Sequence, residues 1–146
     1  MPVVGGQWPY GEVTNGVKTY QELIAWQKAI AFVTEVYQVS SGFPREEIYG
    51  LTSQIRRAAV SIPSNIAEGQ GRSSSGEFVQ FLCHARGSLY EVETQVVVAS
   101  NLNYLTSKQH GDLLALASEL GRILNALINA VQVRKKTGHR PPTTGH

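Results

Sequence analysis

The sequence predicts an all-α protein: an antiparallel, up-down-up-down four-helix bundle that associates with copies of itself. Three observations carry this. Four segments repeat apolar residues at alternating steps of three and four, the spacing that gathers side chains on one face of a helix. Short Gly-, Ser- and Pro-containing connectors and three capping-box signatures separate them, and short connections make consecutive helices antiparallel neighbours. Several large apolar residues are left over once each helix has a core stripe, which points to a further buried face between subunits.

The chain divides into an irregular arm over 1–18, the bundle over 19–133 and a basic, disordered tail over 134–146. The arm, MPVVGGQWPYGEVTNGVK, has no periodicity, and its Trp8 and Tyr10 offer anchors for docking on the body or on a neighbouring subunit. The first helix is expected over Tyr20–Val39, with Leu23, Trp26, Ile30, Val33 and Tyr37 facing the core and Thr19 and Glu22 forming a T-x-x-E capping box. Ser40-Ser41-Gly42-Phe43-Pro44 ends it.

The second helix, from about Glu46 to a left-handed cap at Gly69, organises the rest. Leu51, Ile55, Ala58, Ile62 and Ile66 form its apolar stripe. Pro63 lies inside the pattern and lacks the N–H that would bond Ala59, so a kink is expected; a break there would leave Ile62 as N-cap, a poor choice. Beside the stripe runs a polar row of Gln54, Arg57, Ser61, Asn65 and Glu68. Such a row either faces water or builds a network with a neighbour in which every member must be satisfied.

Ser74-Ser75-Gly76-Glu77 starts the third helix, which continues to about Ser100 with Phe78, Leu82, Ala85, Leu89, Val92 and Val96 inward. Its polar row, Glu77, Gln80, His84, Ser88, Glu91 and Gln95, matches that of the second helix. The expected pairings are Arg57 with Glu91 or Glu77, and Asn65 or Glu68 with His84 or Gln80. Thr106 and Gln109 box the fourth helix, whose stripe is Leu113, Leu116, Leu120, Leu124, Leu127 and Val131, ending near Gln132. The leftover apolar residues include Ile24, Phe32, Val36 and Val97, assigned here to the oligomer interface.

At 146 residues with 42% apolar content, the chain suits one domain with a sizeable core. The lone Cys83 rules out an intramolecular disulfide and fits a packing role in a reducing, cytoplasmic setting. No apolar run is expected to span a bilayer, and the N-terminus lacks the order of a signal peptide, so no membrane partner is expected. Nine basic residues face eleven acidic ones in the first 133 positions, a net −2; the formal +2 therefore comes from Arg134, Lys135, Lys136 and Arg140. A positive tail on a near-neutral body suits nucleic acid or an acidic partner, or serves only solubility.

Enzymatic signatures are missing. Neither His84 nor His110 follows a Glu by three positions, so the paired Glu-x-x-His set of carboxylate-bridged metals is absent. There is no HExxH, CxxC or phosphate-binding loop, and no cofactor is implied. Ser61, His84 and Glu68 or Glu91 are residue types of a hydrolytic triad, but any polar seam contains them, and the chain is read as non-enzymatic. For nucleic acid the candidates are Arg56, Arg57, Arg72 and Arg86 together with the tail; each arginine is equally suited to a surface or intersubunit salt bridge.

The run YGLTSQIRRAAVSIPSNIAEGQGR, followed by SSSGEFVQFLCHARGSLYEVETQ, resembles the bacterial four-helix-bundle family of 23S rRNA-intervening-sequence proteins. The resemblance spans about Tyr20 to Gln132, and its most specific piece is Ser61-Ile62-Pro63-Ser64-Asn65-Ile66-Ala67-Glu68-Gly69. It implies a ring-shaped homopentamer and an association with structured RNA. A related bundle family serves as accessory subunit of diversity-generating retroelement reverse transcriptases, so a protein-binding scaffold that holds a reverse transcriptase or another protein is the alternative.

Overall fold

The computed structural model describes the backbone over residues 19–138 and side chains over 19–133. Four α-helices form, α1 Ile24–Ser40, α2 Leu51–Gln70, α3 Ser75–Asn101 and α4 Ser107–Gly138, with short 3-10 turns at Tyr20–Glu22 and Arg45–Glu47. Around the bundle, α2 packs on α1 and α3, and α4 packs on α3 and α1. Neighbours run antiparallel: Ser61 meets Ser88 while Gly69 meets Phe81, and Arg86 meets Asn125 while Ser100 meets His110.

The α1 stripe is rotated by one residue from the expected one. Ala25, Ala29, Phe32 and Val36 are buried, whereas Trp26 and Val33 are half-buried and Tyr37 is exposed. Both sets have helical spacing; the alanines let α1 approach its neighbours closely, and the larger side chains are turned to the flank. Phe32 and Val36 are consequently core residues of the single chain, 2% and 1% exposed, and their assignment to an oligomer interface is corrected. Thr19 does not cap α1 either. It precedes the 3-10 turn and makes no side-chain cap bond, and the α-helix starts at Leu23–Ile24.

Helix α2 begins later than expected, at Leu51, because Glu47 and Gly50 shape its entrance. The Glu47 carboxylate accepts the Leu51 N–H at 3.0 Å, filling one of the donors a helix start leaves open. A Cβ on Gly50 would lie 2.8 Å from that same carboxylate oxygen. Ile55, Ala58, Ile62 and Ile66 face the core as expected, and Pro63 lies buried within one continuous helix. The end differs: the helix runs through Gly69 to Gln70, and the cap is Gly71 in right-handed geometry. Gly69 is instead buried against α3, where a Cβ would lie 2.7 Å from Phe81 Cβ.

The third helix follows its pattern, with Leu82, Ala85, Leu89, Val92 and Val96 buried and Ser74 accepting the Glu77 N–H at 3.1 Å. It ends in a Schellman motif: Tyr104 N–H bonds Ala99 O at 2.9 Å, Asn103 N–H bonds Ser100 O at 3.0 Å, and Asn103 takes the left-handed φ of 63°. The Thr106–Gln109 box is reciprocal, at 3.0 and 2.9 Å. On α4, Leu113, Leu120, Leu124 and Val131 are buried with Ala117 and Ile128, while Leu116 is exposed and Leu127 half-buried.

Helix α4 does not stop near Gln132. It extends to Gly138, so Arg134, Lys135 and Lys136 are helical and the irregular tail expected from 134 is corrected; Arg140, Trp8 and Tyr10 lie outside the described residues. Ser107–Val133 also contains an 18-residue stretch of mean hydropathy 1.3, so by length and composition alone this helix is apolar enough to cross a membrane, contrary to the expectation from sequence. Its apolar stripe is the one that packs on α1 and α3. Inside α4, a Cβ on Gly121 would meet only Leu89 Cδ2 at 3.6 Å, an ordinary contact. Gly121→Ala is expected to raise stability by about 1 kcal/mol through helix propensity alone, read as a melting temperature a few degrees higher.

Candidate nucleic-acid interface

The four candidate arginines, Arg56, Arg57, Arg72 and Arg86, occupy different places in the body, and three are engaged within the fold. Arg56 donates from Nε to Ser40 Oγ at 2.8 Å and from Nη2 to Tyr37 O at 3.1 Å, and its guanidinium lies 4.5 Å from the Tyr37 ring centroid. It thereby serves the Tyr37 carbonyl in the last turn of α1, where a cation is favoured by the helix dipole. Arg72 pairs with Glu68 at 2.7 Å and lies over Phe81 at 4.8 Å. Arg86 links α3 to α4 through Asn125 at 2.9 Å and reaches Cys83 Sγ at 3.7 Å. Arg57 is exposed and forms no hydrogen bond or ion pair with another described residue. These residues do not make one patch, since Arg56 lies toward the end carrying the α1 C-terminus and Arg72 lies at the opposite end.

At that opposite end α4 finishes. Arg134, Lys135 and Lys136 therefore share with Arg72 the end of the bundle formed by the α2–α3 turn and the α4 C-terminus. Their place on a helix had a sequence signal in hindsight: Val131 completes the apolar stripe, and no Gly or Pro follows until Gly138.

The polar rows of α2 and α3 line up, yet they join at one point among the described residues, the Ser61–Ser88 hydroxyl pair. Asn65 donates to Ser61 O in its own helix at 2.8 Å, and Gln95 reaches Glu91 only at 3.5 Å. The expected pairings of Arg57 with Glu91 or Glu77, and of Asn65 or Glu68 with His84 or Gln80, are not formed. Arg57, Glu68, His84, Gln80 and Glu91 are exposed, so water satisfies them without a partner helix. The triad residue types are likewise apart: Ser61 is spent on Ser88, Glu68 on Arg72, and His84 packs near Phe81 with ring centroids 6.0 Å apart. Among the described residues no cluster of three His, Cys, Asp or Glu is placed to hold a metal ion.

One polar tie was missed by sequence reasoning. Tyr104 donates to the second Glu47 oxygen at 2.8 Å and packs on Phe43, which joins the α1–α2 connection to the α3–α4 connection. The Leu51 N–H and then the Tyr104 hydroxyl hold the Glu47 carboxyl below its ordinary pKa, and the bond to Glu47 raises that of Tyr104. Fifty-seven residues separate the partners, so neither sequence spacing nor periodicity signals the pair.

Four antiparallel helices with a polar α2–α3 seam and cations toward the α4 end define a four-helix-bundle protein. The chain belongs to the family of 23S rRNA-intervening sequence proteins, whose model matches residues 21–126. Among solved structures it is similar to a protein of unknown function from the S23 ribosomal protein family of Bacteroides thetaiotaomicron VPI-5482, with 21% identity and a TM-score of 0.68. That match covers 73% of this chain and 96% of the other, and it establishes the shared fold. No curated protein matches the chain.

Proposed function

We propose that this chain is a non-enzymatic, oligomeric protein of the cytoplasm that binds structured RNA through the basic end of the bundle. The supporting observation is the continuation of α4 to Gly138, which carries Arg134, Lys135 and Lys136 on a helix at the same end as Arg72. A rigid carrier spares the ordering entropy that a loose tail would lose on binding. The family's link to rRNA intervening sequences agrees with a polyanionic partner. Cations that neutralise phosphates release counterions, so affinity falls steeply with salt.

Replacing Arg134, Lys135 and Lys136 together by alanine is expected to weaken binding of an rRNA hairpin and to reduce the log–log salt slope by about 2–3. An unchanged slope would move the contact to Arg57 or off the protein altogether.

Self-association multiplies this contact by avidity. Ile24 and Val97 are 61% and 43% exposed and remain candidates for the subunit interface; the ring of five is the arrangement the family resemblance implies, and a bend of α2 at Pro63 is what the missing proline N–H implies. Val97→Glu or Ile24→Glu is expected to lower the mass measured by light scattering while leaving the helical signal intact. A parent mass would remove that residue from the interface.

The second reading, a protein-binding scaffold such as an accessory subunit of a reverse transcriptase, draws on the internal engagement of Arg56, Arg72 and Arg86. It predicts no RNA binding even at low salt.

A further inference from the structure

Between α1 and α2 lies an open groove of about 300 Å³, walled by Tyr20, Trp26, Ile30, Val33, Val60 and Pro63. Tyr20 and Trp26 meet edge to face at 5.3 Å and form one lip. Val60, on the other helix, is 40% exposed beside the buried Pro63. The groove is therefore a shallow, aromatic-edged trough with little polar lining. Surfaces of this composition suit extended, proline-containing segments, because proline brings no N–H that needs an acceptor and loses little entropy on docking.

The chain itself enters at this trough. Thr19 immediately precedes the lining residue Tyr20, and its buried hydroxyl finds no partner among the described residues. The 18 residues up to Lys18 hold Pro2, Val3, Val4, Trp8, Pro9 and Tyr10 against only two charges, Glu12 and Lys18. Twelve residues between Trp8 and Tyr20 span at most about 40 Å. The α2 side of the trough, Val60 to Ala67, is about 10 Å long. Every point of it is within reach of Trp8 without crossing to another molecule.

We propose that the Trp8-Pro9-Tyr10 segment of the N-terminal arm docks in the α1–α2 groove of its own chain. The occupant matches the site in three respects: it is apolar, it contains a proline flanked by aromatics, and its tether begins at the lip. Docking of this kind covers Val60, Pro63 and the Trp26 face.

The test uses the full-length chain with Trp26→Phe, which makes Trp8 the sole tryptophan. Trp8 emission is expected to be blue-shifted, and acrylamide quenching several-fold slower than in the denatured chain, with no change on dilution. Val60→Arg, at an exposed position that leaves the core intact, is expected to shift Trp8 to its solvent-exposed emission. Quenching equal to that of the denatured chain, or protection that survives Val60→Arg, would overturn the proposal. So would protection lost on dilution, which would assign the groove to a neighbour's arm. Because Trp26→Phe touches the groove, a second measurement keeps Trp26 and places the photocrosslinker p-benzoylphenylalanine at position 8. The expected product has the mass of one chain and joins α1 or α2; a product of two chains, or one joined elsewhere, contradicts docking in the same chain.

Discussion

Phe32→Ala is expected to lower the stability of the bundle by about 3–5 kcal/mol, the usual cost of removing a fully buried phenylalanine and leaving a cavity. Phe32 is 2% exposed and sits where α1 turns toward the core between Ala29 and Val36. In a domain of this size the loss corresponds to a melting temperature lower by about 10–20 °C. A charged replacement goes further, because an unpaired buried charge is added to the cavity. The readout distinguishes a core role from an interface role. Loss of the helical signal together with any assembly marks a core residue, whereas a folded chain of lower mass marks a residue between subunits. Retention of the parent melting curve by Phe32→Ala would show that α1 is rotated back toward the Trp26 and Val33 stripe.

Gly69→Ala is the second large effect. A Cβ at this position would lie 2.7 Å from Phe81 Cβ, 3.0 Å from Phe78 Cδ1 and 3.3 Å from Phe78 O. The nearest atom is a Cβ, which cannot swing aside as the end of a flexible side chain would, so α2 and α3 must separate. Overpacking of this kind costs about 1–3 kcal/mol, and the roughly 1 kcal/mol of helix propensity gained by alanine offsets only part of it. Gly69→Val adds two more carbons at the same contact and is expected to be worse. Thermal melts of Gly69→Ala and Gly121→Ala form an internal comparison: the same chemical change destabilises where the helices touch and stabilises where a Cβ has room. Equal shifts at both positions would refute the close approach at Gly69.

These two glycines illustrate why parts of the fold were legible in the sequence and others were not. Gly69 follows a helical pattern and stands near a loop, so the expectation of a left-handed cap there follows ordinary helix-end statistics. Only the arrival of Phe78 and Phe81 from the next helix makes it an interior residue. The polar rows show the same division. Their spacing on α2 and α3 was readable, but solvent reaches most of the members, and the cross-helix network reduces to Ser61 and Ser88.

The candidate interface divides similarly. The cations were visible as residues, and the excess of positive charge at the C-terminal end was a matter of counting. Their engagement was not visible, since Arg56 is taken up by Tyr37 and Ser40, Arg72 by Glu68 and Phe81, and Arg86 by Asn125. The helical extent of α4 past Gln132 is hidden in the sequence because a run of charges ahead of Gly138 and the Pro-containing end resembles the start of a tail, although Arg and Lys are good helix formers and are favoured at a helix C-terminus.

Legible within single segments were the four helices, the capped starts at Ser74 and Thr106, an α2 that continues through Pro63, and the core stripes of α2 and α3. These follow from local periodicity and capping chemistry, which act over a few residues. Tertiary structure alone decided which of two equally spaced faces of α1 turns inward, that Phe32 and Val36 belong to the core, and that Gly69 is a contact. It also joined Glu47 to Tyr104 and engaged three of the four candidate arginines. Each of those outcomes depends on the volume and donors presented by another helix, and no periodicity within one segment encodes its neighbour's shape.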